Sequence, residues 1–282
     1  MTGRADVLMT AEALVNRLAA GVPMTLLDVR WTLSEPDGRS HYLQGHLPGA
    51  VYVSLDDDLT DHGVSGRGRH PLPSGSALQA AARRWGVRDG VPVVVYDDWN
   101  RAGSARAWWV LTAAGLADVR ILDGGLSGWK AAGGALKGGP VEPAPGDVTL
   151  VHEDLYAGAL PTLTADDVDR RPLLDARAPE RFRGEVEPVD PVAGHIPGAR
   201  NLPSTALLGG DDAFIADSAV AGLLSERGIG ADDPIGVYCG SGITAAVAVA
   251  ALTAAGRDAA LFPGSWSQWS SDPNRPVARG TQ

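Results

Sequence analysis

The sequence contains only one cysteine, Cys239, among 282 residues. A single thiol cannot form an internal disulfide, and this excludes the class of small secreted domains that disulfides hold together. Long apolar runs are also absent, and the first residues, MTGRADVLMTAEAL, contain no apolar segment of signal-peptide length. These absences predict a cytoplasmic protein in a reducing compartment, without a membrane as partner.

Clusters of basic residues are absent as well. Lys and Arg number 24 against 34 Asp and Glu, which gives a net charge of −10 at pH 7. Nucleic acid is therefore not expected as a partner, because phosphate binding depends on clustered cations. None of the six histidines forms a cluster with the spacing of metal ligands, so neither a metal nor another cofactor is predicted. The acidic run Asp56-Asp57-Asp58 is interpreted as a solvated loop.

The sequence does contain an internal repeat. Four anchor segments occur twice in the same order, at offsets between 140 and 149 residues. The pairs are Leu26–Arg30 with Leu173–Arg177, Gly45–Ala50 with Gly194–Ala199, Val93–Asp97 with Pro234–Cys239, and Ile121–Trp129 with Leu261–Trp269. A constant order at nearly constant offset predicts two units of similar fold.

Each unit alternates short apolar strands with helices. Local signals predict helix caps at Thr10 and Thr164 (with Asp167 three residues on), strands at 25–29 and 91–96, and helices at 104–114 and 243–255 that end at Gly115 and Gly256. Such strands are typical of an α/β fold in which a parallel sheet carries helices on both faces. The Gly- and Pro-rich stretch 133–146 predicts a linker between the units.

Cys239 follows the apolar run 235–238 and precedes Gly240-Ser241-Gly242 and an alanine-rich helix. Ligands of parallel α/β sheets bind where a strand gives way to a helix. The glycines allow backbone N–H groups to turn toward the sulfur, and the positive end of the following helix faces it. This arrangement favours a thiolate, the nucleophilic form of cysteine, over the alternative of a buried structural thiol.

With these motifs the chain resembles the tandem-domain rhodanese-like sulfurtransferases. The resemblance rests on both LLD-x-R segments, both GH-[LI]-PGA segments, VYCGSGIT and GSWSQW, and it covers nearly the whole chain. It implies two rhodanese-like domains: a catalytically inert one at 1–136, a linker at 137–159 and a catalytic one at 160–282. Cys239 would cycle between thiolate and persulfide. Asp97 stands at the equivalent position of the first unit, and a carboxylate cannot carry a transferable sulfur.

The cysteine loop itself is similar to that of 3-mercaptopyruvate sulfurtransferases. Members that prefer thiosulfate usually carry basic side chains directly after the cysteine, whereas Gly240, Ser241 and Gly242 are neutral. The resemblance therefore implies that sulfur passes from 3-mercaptopyruvate through a Cys239 persulfide to a thiol, a thioredoxin-like protein or cyanide. Substrate contacts are expected at Gly240, Gly242, Ile243 and Thr244.

A substrate carboxylate needs a cation, and Arg181 matches the arginine that serves this purpose in the family. Arg177 is interpreted as a partner of Asp175, and Arg183 as a solvated surface charge. Mercaptopyruvate enzymes tend to carry a second arginine shortly before GHIPG, but the stretch 187–191 has none. Thiosulfate sulfurtransferase activity, with cyanide as acceptor, is therefore retained as an alternative.

The resemblance also implies a relay of serine, histidine and aspartate, to which Ser241 and His46 are matched, with Asp37 as a candidate third member. The alternative for His46 is a turn without chemistry. Trp31 and Trp266 are expected to line the site.

Two other classes of protein are compared with the enzyme. A cysteine-dependent phosphatase needs an arginine about six residues after the cysteine, where this chain has Ala245. A persulfide carrier or redox module without turnover stays possible, although the intact loop together with Arg181 favours an enzyme.

Overall fold

The fold is described from a computed structural model over residues 3–281. Two parallel sheets follow one another along the chain, with the strand orders β1-β5-β4-β2-β3 and β7-β6-β8-β9. The strands are β1 Leu8–Met9, β2 Thr25–Asp28, β3 Val51–Tyr52, β4 Val93–Tyr96, β5 Val119–Leu122, β6 Leu173–Asp175, β7 Arg200–Asn201, β8 Ile235–Tyr238 and β9 Ala259–Leu261.

Helices cover these sheets. The first unit contains α1 Arg4–Val7, α2 Ala11–Ala19, α3 Arg39–Gln44, α4 Leu55–Asp58, α5 Gly75–Arg84, α6 Ala102–Ala113 and α7 Gly125–Ala131. The second contains α8 Pro179–Arg183, α9 Asp217–Glu226, α10 Thr244–Ala254 and α11 Ser265–Trp269, and three short 3-10 turns lie at Leu155–Ala157, Val168–Arg170 and Ser204–Leu207. No helix within the described residues is both long enough and apolar enough to cross a membrane.

Alternate residues of the central strands pack on opposite faces of their sheet. In the first unit, Leu27 and Val95 belong to one buried cluster, whereas Leu26 and Val94 belong to another. A strand buried on both faces must be apolar at every position, which explains the continuous run Val93–Tyr96. The prediction of an α/β fold with two units, each a parallel sheet between helices, is confirmed.

Most local signals act as predicted. The Thr10 hydroxyl accepts a hydrogen bond from the Ala13 N–H at 3.2 Å and caps α2. Gly115 and Gly256 have φ values of +100° and +73° after α6 and α10, a conformation that favours glycine. The expected helix after Thr164 is wrong, since only a 3-10 turn forms there. Pro172 follows that turn and disfavours helical geometry in the residue before it.

The predicted linker packs along the first unit rather than standing apart from it. The Gly146 N–H donates to the Arg83 carbonyl at 2.8 Å, and the Val151 N–H donates to the Ala114 carbonyl at 3.1 Å. The Gly75 N–H in turn donates to the Glu153 carbonyl at 2.8 Å. The chain therefore reaches the second unit along a fixed path.

The two units share one hydrophobic core. Helix α6 of the first unit packs against α10 of the second, and one buried cluster contains residues of both. Residues 245–252 of α10 are buried without interruption, and alanine at five of those positions allows neighbouring helices to approach closely. Helix α10 begins just after Cys239, so its packing against the first unit also fixes the position of the cysteine loop.

Candidate active site

Cys239 lies between the end of β8 and the start of α10, where its side chain is buried. The Gly242 N–H donates to its Sγ at 3.2 Å, and the helix α10 directs its positive end at the same loop. Gly242 has a φ of +80°, and a Cβ there would lie 2.4 Å from the Pro263 carbonyl oxygen. Only glycine fits this position, and its N–H is thereby directed at the sulfur.

The first turn of α11 forms hydrogen bonds with the backbone of the cysteine loop. The Trp266 N–H donates to the Cys239 carbonyl at 3.0 Å, and the Ser267 N–H donates to the Gly240 carbonyl at 2.8 Å. The Ser265 hydroxyl accepts the Cys239 N–H at 3.1 Å. Trp266 is fully buried and donates through its indole to the Val192 carbonyl at 2.9 Å. The GSWSQW motif thus fixes the backbone around the sulfur.

Arg181 approaches the loop from α8. Its Nη1 lies 3.5 Å from the point where a Cβ on Gly240 would lie. Its Nη2 donates to Glu187 at 2.6 Å and to Asp190 at 3.2 Å. Burial alone would raise the pKa of Glu187, but the hydrogen bond and charge of Arg181, together with the Asp190 and Val189 N–H groups, outweigh burial and lower it. One edge of the guanidinium is therefore anchored, while the other faces the loop.

The two neighbouring arginines occupy the places predicted for them. Arg177 is buried and donates to Asp175 at 2.7 to 3.1 Å. Arg183 pairs with Glu185 at 2.7 Å on the surface. Both predictions are confirmed, and neither side chain shares the position of Arg181.

A second arginine at the loop comes from the first unit. The Nη2 of Arg69 lies 3.4 Å from the same Cβ position of Gly240, and its Nη1 donates to Asp190 at 2.6 Å. Sequence reasoning missed Arg69, because its contact with the second unit bridges 198 residues from Arg69 to Ser267. The only local signal is the arginine placed between glycine-rich turn residues in Gly66-Arg67-Gly68-Arg69.

His46 does not occupy the place expected for the relay. Both of its ring nitrogens lie at hydrogen-bond distance from backbone carbonyl oxygens, Nδ1 2.8 Å from that of Leu47 and Nε2 2.9 Å from that of Gly139. The residue is buried before β3, at the amino end of the strands, whereas the cysteine loop follows a strand. The structure therefore gives His46 the role of a turn that anchors the linker, and a catalytic role for it requires correction.

Asp37 is also engaged elsewhere. It is exposed and accepts hydrogen bonds from the Arg39 N–H at 3.0 Å and the Tyr52 hydroxyl at 2.9 Å, and these bonds lower its pKa. No contact joins it to the cysteine loop within the part of the chain that the structure describes. Ser241, by contrast, stands in that loop, and its hydroxyl has no hydrogen-bond partner among residues 3–281.

His70 directly follows Arg69, the residue that contacts Ser267 of the second unit. Its Nε2 lies 3.7 Å from an Asp56 carboxylate oxygen, and the Trp31 indole donates to the same oxygen at 3.3 Å. The Nδ1 of His70 is buried without a partner among the described residues. Burial, aided by the charges of Arg106 and Arg69, lowers the pKa of His70 to about 3, so the ring is neutral.

In the first unit, Asp97 stands at the position that corresponds to Cys239. Asp97 is buried and accepts hydrogen bonds from the Ser104 N–H at 2.9 Å and the Ser104 hydroxyl at 2.7 Å. The fully buried Arg101 pairs with it at 3.1 Å. The Asp97 carboxylate is thus engaged by its neighbours in the same loop.

Comparison with known proteins agrees with this architecture. The rhodanese-like domain family matches residues 10–132 and 161–272, and the chain belongs to that family. Its enzymatic class is the sulfurtransferases.

Three relatives are similar to this chain over most or all of its length. A Mycobacterium tuberculosis protein named "Putative thiosulfate sulfurtransferase SseB" is 63% identical over 100% of both chains. A Pseudomonas aeruginosa protein named "Probable 3-mercaptopyruvate sulfurtransferase" is 43% identical and covers 97% of this chain and 98% of its own. The crystal structure of SseA from Escherichia coli, described as a 3-mercaptopyruvate sulfotransferase, aligns with a TM-score of 0.79 at 31% identity, over 92% of this chain and 98% of that one.

Proposed function

We propose that this protein transfers a sulfane sulfur from 3-mercaptopyruvate to a thiophilic acceptor through a persulfide on Cys239. The observation that carries the proposal is the position of Cys239, whose sulfur accepts the Gly242 N–H at the start of α10 beside the guanidinium of Arg181. Relatives named 3-mercaptopyruvate sulfurtransferase at 43% and 35% identity support the choice of donor.

In the first half-reaction the Cys239 thiolate attacks the sulfur of mercaptopyruvate. A sulfur–sulfur bond forms, the carbon–sulfur bond breaks, and its electron pair moves onto the carbonyl to give the pyruvate enolate. The Arg181 edge at Gly240 would hold the carboxylate, as arginine does with planar anions. The substrate would lie over Gly240, Gly242, Ile243 and Thr244. The enolate then takes one proton and leaves as pyruvate.

The proton would pass through Ser241 and a histidine, and we assign that histidine as His70 with Asp56 as its partner. A neutral imidazole can accept a proton on one nitrogen while it donates from the other. The low pKa of His70 keeps the ring in this neutral form at physiological pH. This assignment replaces His46 and Asp37 in the relay.

In the second half-reaction a nucleophile attacks the outer sulfur of the persulfide and restores the Cys239 thiolate. A thiol, a thioredoxin-like protein or cyanide has the required nucleophilicity, and cyanide would leave as thiocyanate. No cofactor enters either half-reaction, because both are displacements at sulfur. The first unit, whose own loop contains Asp97 and Arg101, would form no persulfide, and its part in the chemistry would be the proton relay through His70 and Asp56. A cytoplasmic location stays a prediction.

Thiosulfate is the second candidate donor, because the relative at 63% identity is named "Putative thiosulfate sulfurtransferase SseB". Steady-state kinetics with both donors and a fixed acceptor separates the candidates. We expect a higher kcat/KM for mercaptopyruvate than for thiosulfate. A preference for thiosulfate would contradict the donor assignment, and persulfide formation without turnover would favour a carrier.

A further inference from the structure

The loop that carries Arg69 is fixed onto the second unit. The Arg69 N–H donates to the Ser267 hydroxyl at 3.0 Å, and the Gln268 side chain donates to the Gly66 carbonyl at 2.9 Å. Gly68 has a φ of +86°, and a Cβ there would lie 2.5 Å from the Gly264 carbonyl oxygen. The backbone at Arg69 is therefore held against α11, the helix that supports the cysteine loop.

Asp190 joins the two guanidinium groups at that loop. One of its carboxylate oxygens accepts from Arg69 at 2.6 Å, and the other accepts from Arg181 at 3.2 Å. The remaining ends, Nη2 of Arg69 and Nη1 of Arg181, have no hydrogen-bond partner within residues 3–281. Both lie within 3.5 Å of one point above Gly240. Two unused donors thus face the same place beside Cys239.

Arg69 and Arg181 belong to a cluster of charged side chains, and the net charge of that cluster decides which anion it can bind. It contains three guanidinium groups and three carboxylates, from Arg69, Arg177 and Arg181, and from Asp175, Glu187 and Asp190. The two sets cancel, so no large excess of positive charge is available to a dianion. Directed N–H donors remain, and these suit one planar carboxylate.

We propose that Arg69 is a substrate-binding residue, contributed by the first unit, that holds the donor's carboxylate together with Arg181. Asp190 positions both groups by accepting a bond from each. Arg69 thereby replaces the second arginine that the stretch 187–191 lacks. The inference rests on the proposed function, since it names the group that recognises an α-keto acid donor. It also gives the first unit a direct part in the site.

A binding experiment tests this inference independently of turnover. The probe is 3-hydroxypyruvate, which keeps the ketone and the carboxylate but has no sulfur, and affinity is measured by calorimetry in the Cys239→Ser background. We expect Arg69→Ala to weaken binding about tenfold or more, and Arg69→Lys to restore part of the loss. Arg67→Ala is the matched control, since the exposed Arg67 guanidinium lies 4.5 Å over the Tyr156 ring and has no hydrogen bond to Asp190.

Kinetics of the same variants with active Cys239 complete the test. Arg69→Ala should raise KM for mercaptopyruvate about tenfold, while Arg67→Ala leaves it unchanged. Equal affinity of the Arg69→Ala and parent proteins for 3-hydroxypyruvate would overturn the inference, as would failure of the parent to bind it. If the wild-type protein binds 3-hydroxypyruvate through Arg69 but takes no sulfur from mercaptopyruvate, the proposed function fails and the carboxylate site stands.

Discussion

At the scale of single residues, the sulfur and one arginine could be read from the sequence. Cys239 and Arg181 occur in local motifs, and the structure brings them to the same loop. Arg69 could not be found in this way, because it reaches the second unit through a contact that joins positions 198 residues apart, and His70 follows it directly in the chain. His46 was chosen from a motif that occurs in both units, and a repeated motif reports a shared turn more readily than a single catalytic site.

Arg181→Ala should lower kcat/KM for mercaptopyruvate by about ten- to a hundredfold, because a charge-assisted hydrogen bond contributes roughly 1.5–3 kcal/mol. Arg183→Ala on the same helix is the control, since Arg183 pairs with Glu185 at the surface. Steady-state kinetics of both variants with mercaptopyruvate provides the measurement. Unchanged kinetics of Arg181→Ala would move the carboxylate site elsewhere.

His70 should make the stability of the protein depend on pH. Its pKa is lowered to about 3 in the folded state, so below about pH 6.5 the unfolded chain takes up a proton that the folded chain does not. Stability is therefore lost as the pH falls. Between pH 7 and pH 5 this residue should account for a loss of about 2 kcal/mol.

Denaturant unfolding at both pH values measures this loss. His70→Asn should show a smaller difference between pH 7 and pH 5 than the wild type, whatever its absolute stability. His152→Asn, at a partly buried position of the linker, should retain the wild-type difference. An identical pH dependence in His70→Asn and wild type would argue against a neutral, buried His70.

At the scale of elements, the periodic segments were predictable and the short ones were not. Helices α6 and α10 begin within two residues of their predicted starts, because apolar residues and a closing glycine mark them clearly. The helix predicted after Thr164 does not form, because the proline at 172 disfavours helical geometry and overrides the local capping signal. The run Asp56–Asp58, interpreted as a loop, forms the single helical turn of α4, which the Ser54 hydroxyl caps.

The cysteine loop offers a test at this scale through its glycines. Gly242→Ala would place a methyl group 2.4 Å from the Pro263 oxygen in a left-handed conformation, and would displace the N–H that bonds the sulfur. We expect slower persulfide formation and a loss of stability greater than the roughly 1–2 kcal/mol that left-handed strain alone costs.

Gly256→Ala is the matched control for that change. Gly256 has a similar φ of +73° at the other end of α10, and a Cβ there would meet no atom within 4 Å. Its effect should be limited to strain, with a normal rate of persulfide formation in single-turnover experiments. Equal rates in the two variants would show that the Gly242 N–H is not needed by the sulfur.

At the scale of the whole molecule, two units of similar fold contribute different parts of the site. One buried cluster joins them through α6 and α10, so neither sheet has a core of its own on that side. The second unit supplies the sulfur and Arg181. The first unit supports α10, supplies His70 and Asp56 of the proposed relay and, in our inference, contributes Arg69. The sequence repeat predicted two units, but it could not show how their surfaces meet.

The central claim is that the whole protein carries one transferable sulfur, and that Cys239 holds it. Intact-mass spectrometry after treatment with 3-mercaptopyruvate, followed by peptide mapping, tests this most directly. The account predicts a single added mass of about 32 Da, the mass of one sulfur atom, on the peptide that contains Cys239, with its loss on addition of cyanide. Cys239→Ser should remain folded and gain no mass. Sulfur transfer by purified Cys239→Ser, or a wild-type chain that gains no sulfur from mercaptopyruvate, would contradict the account.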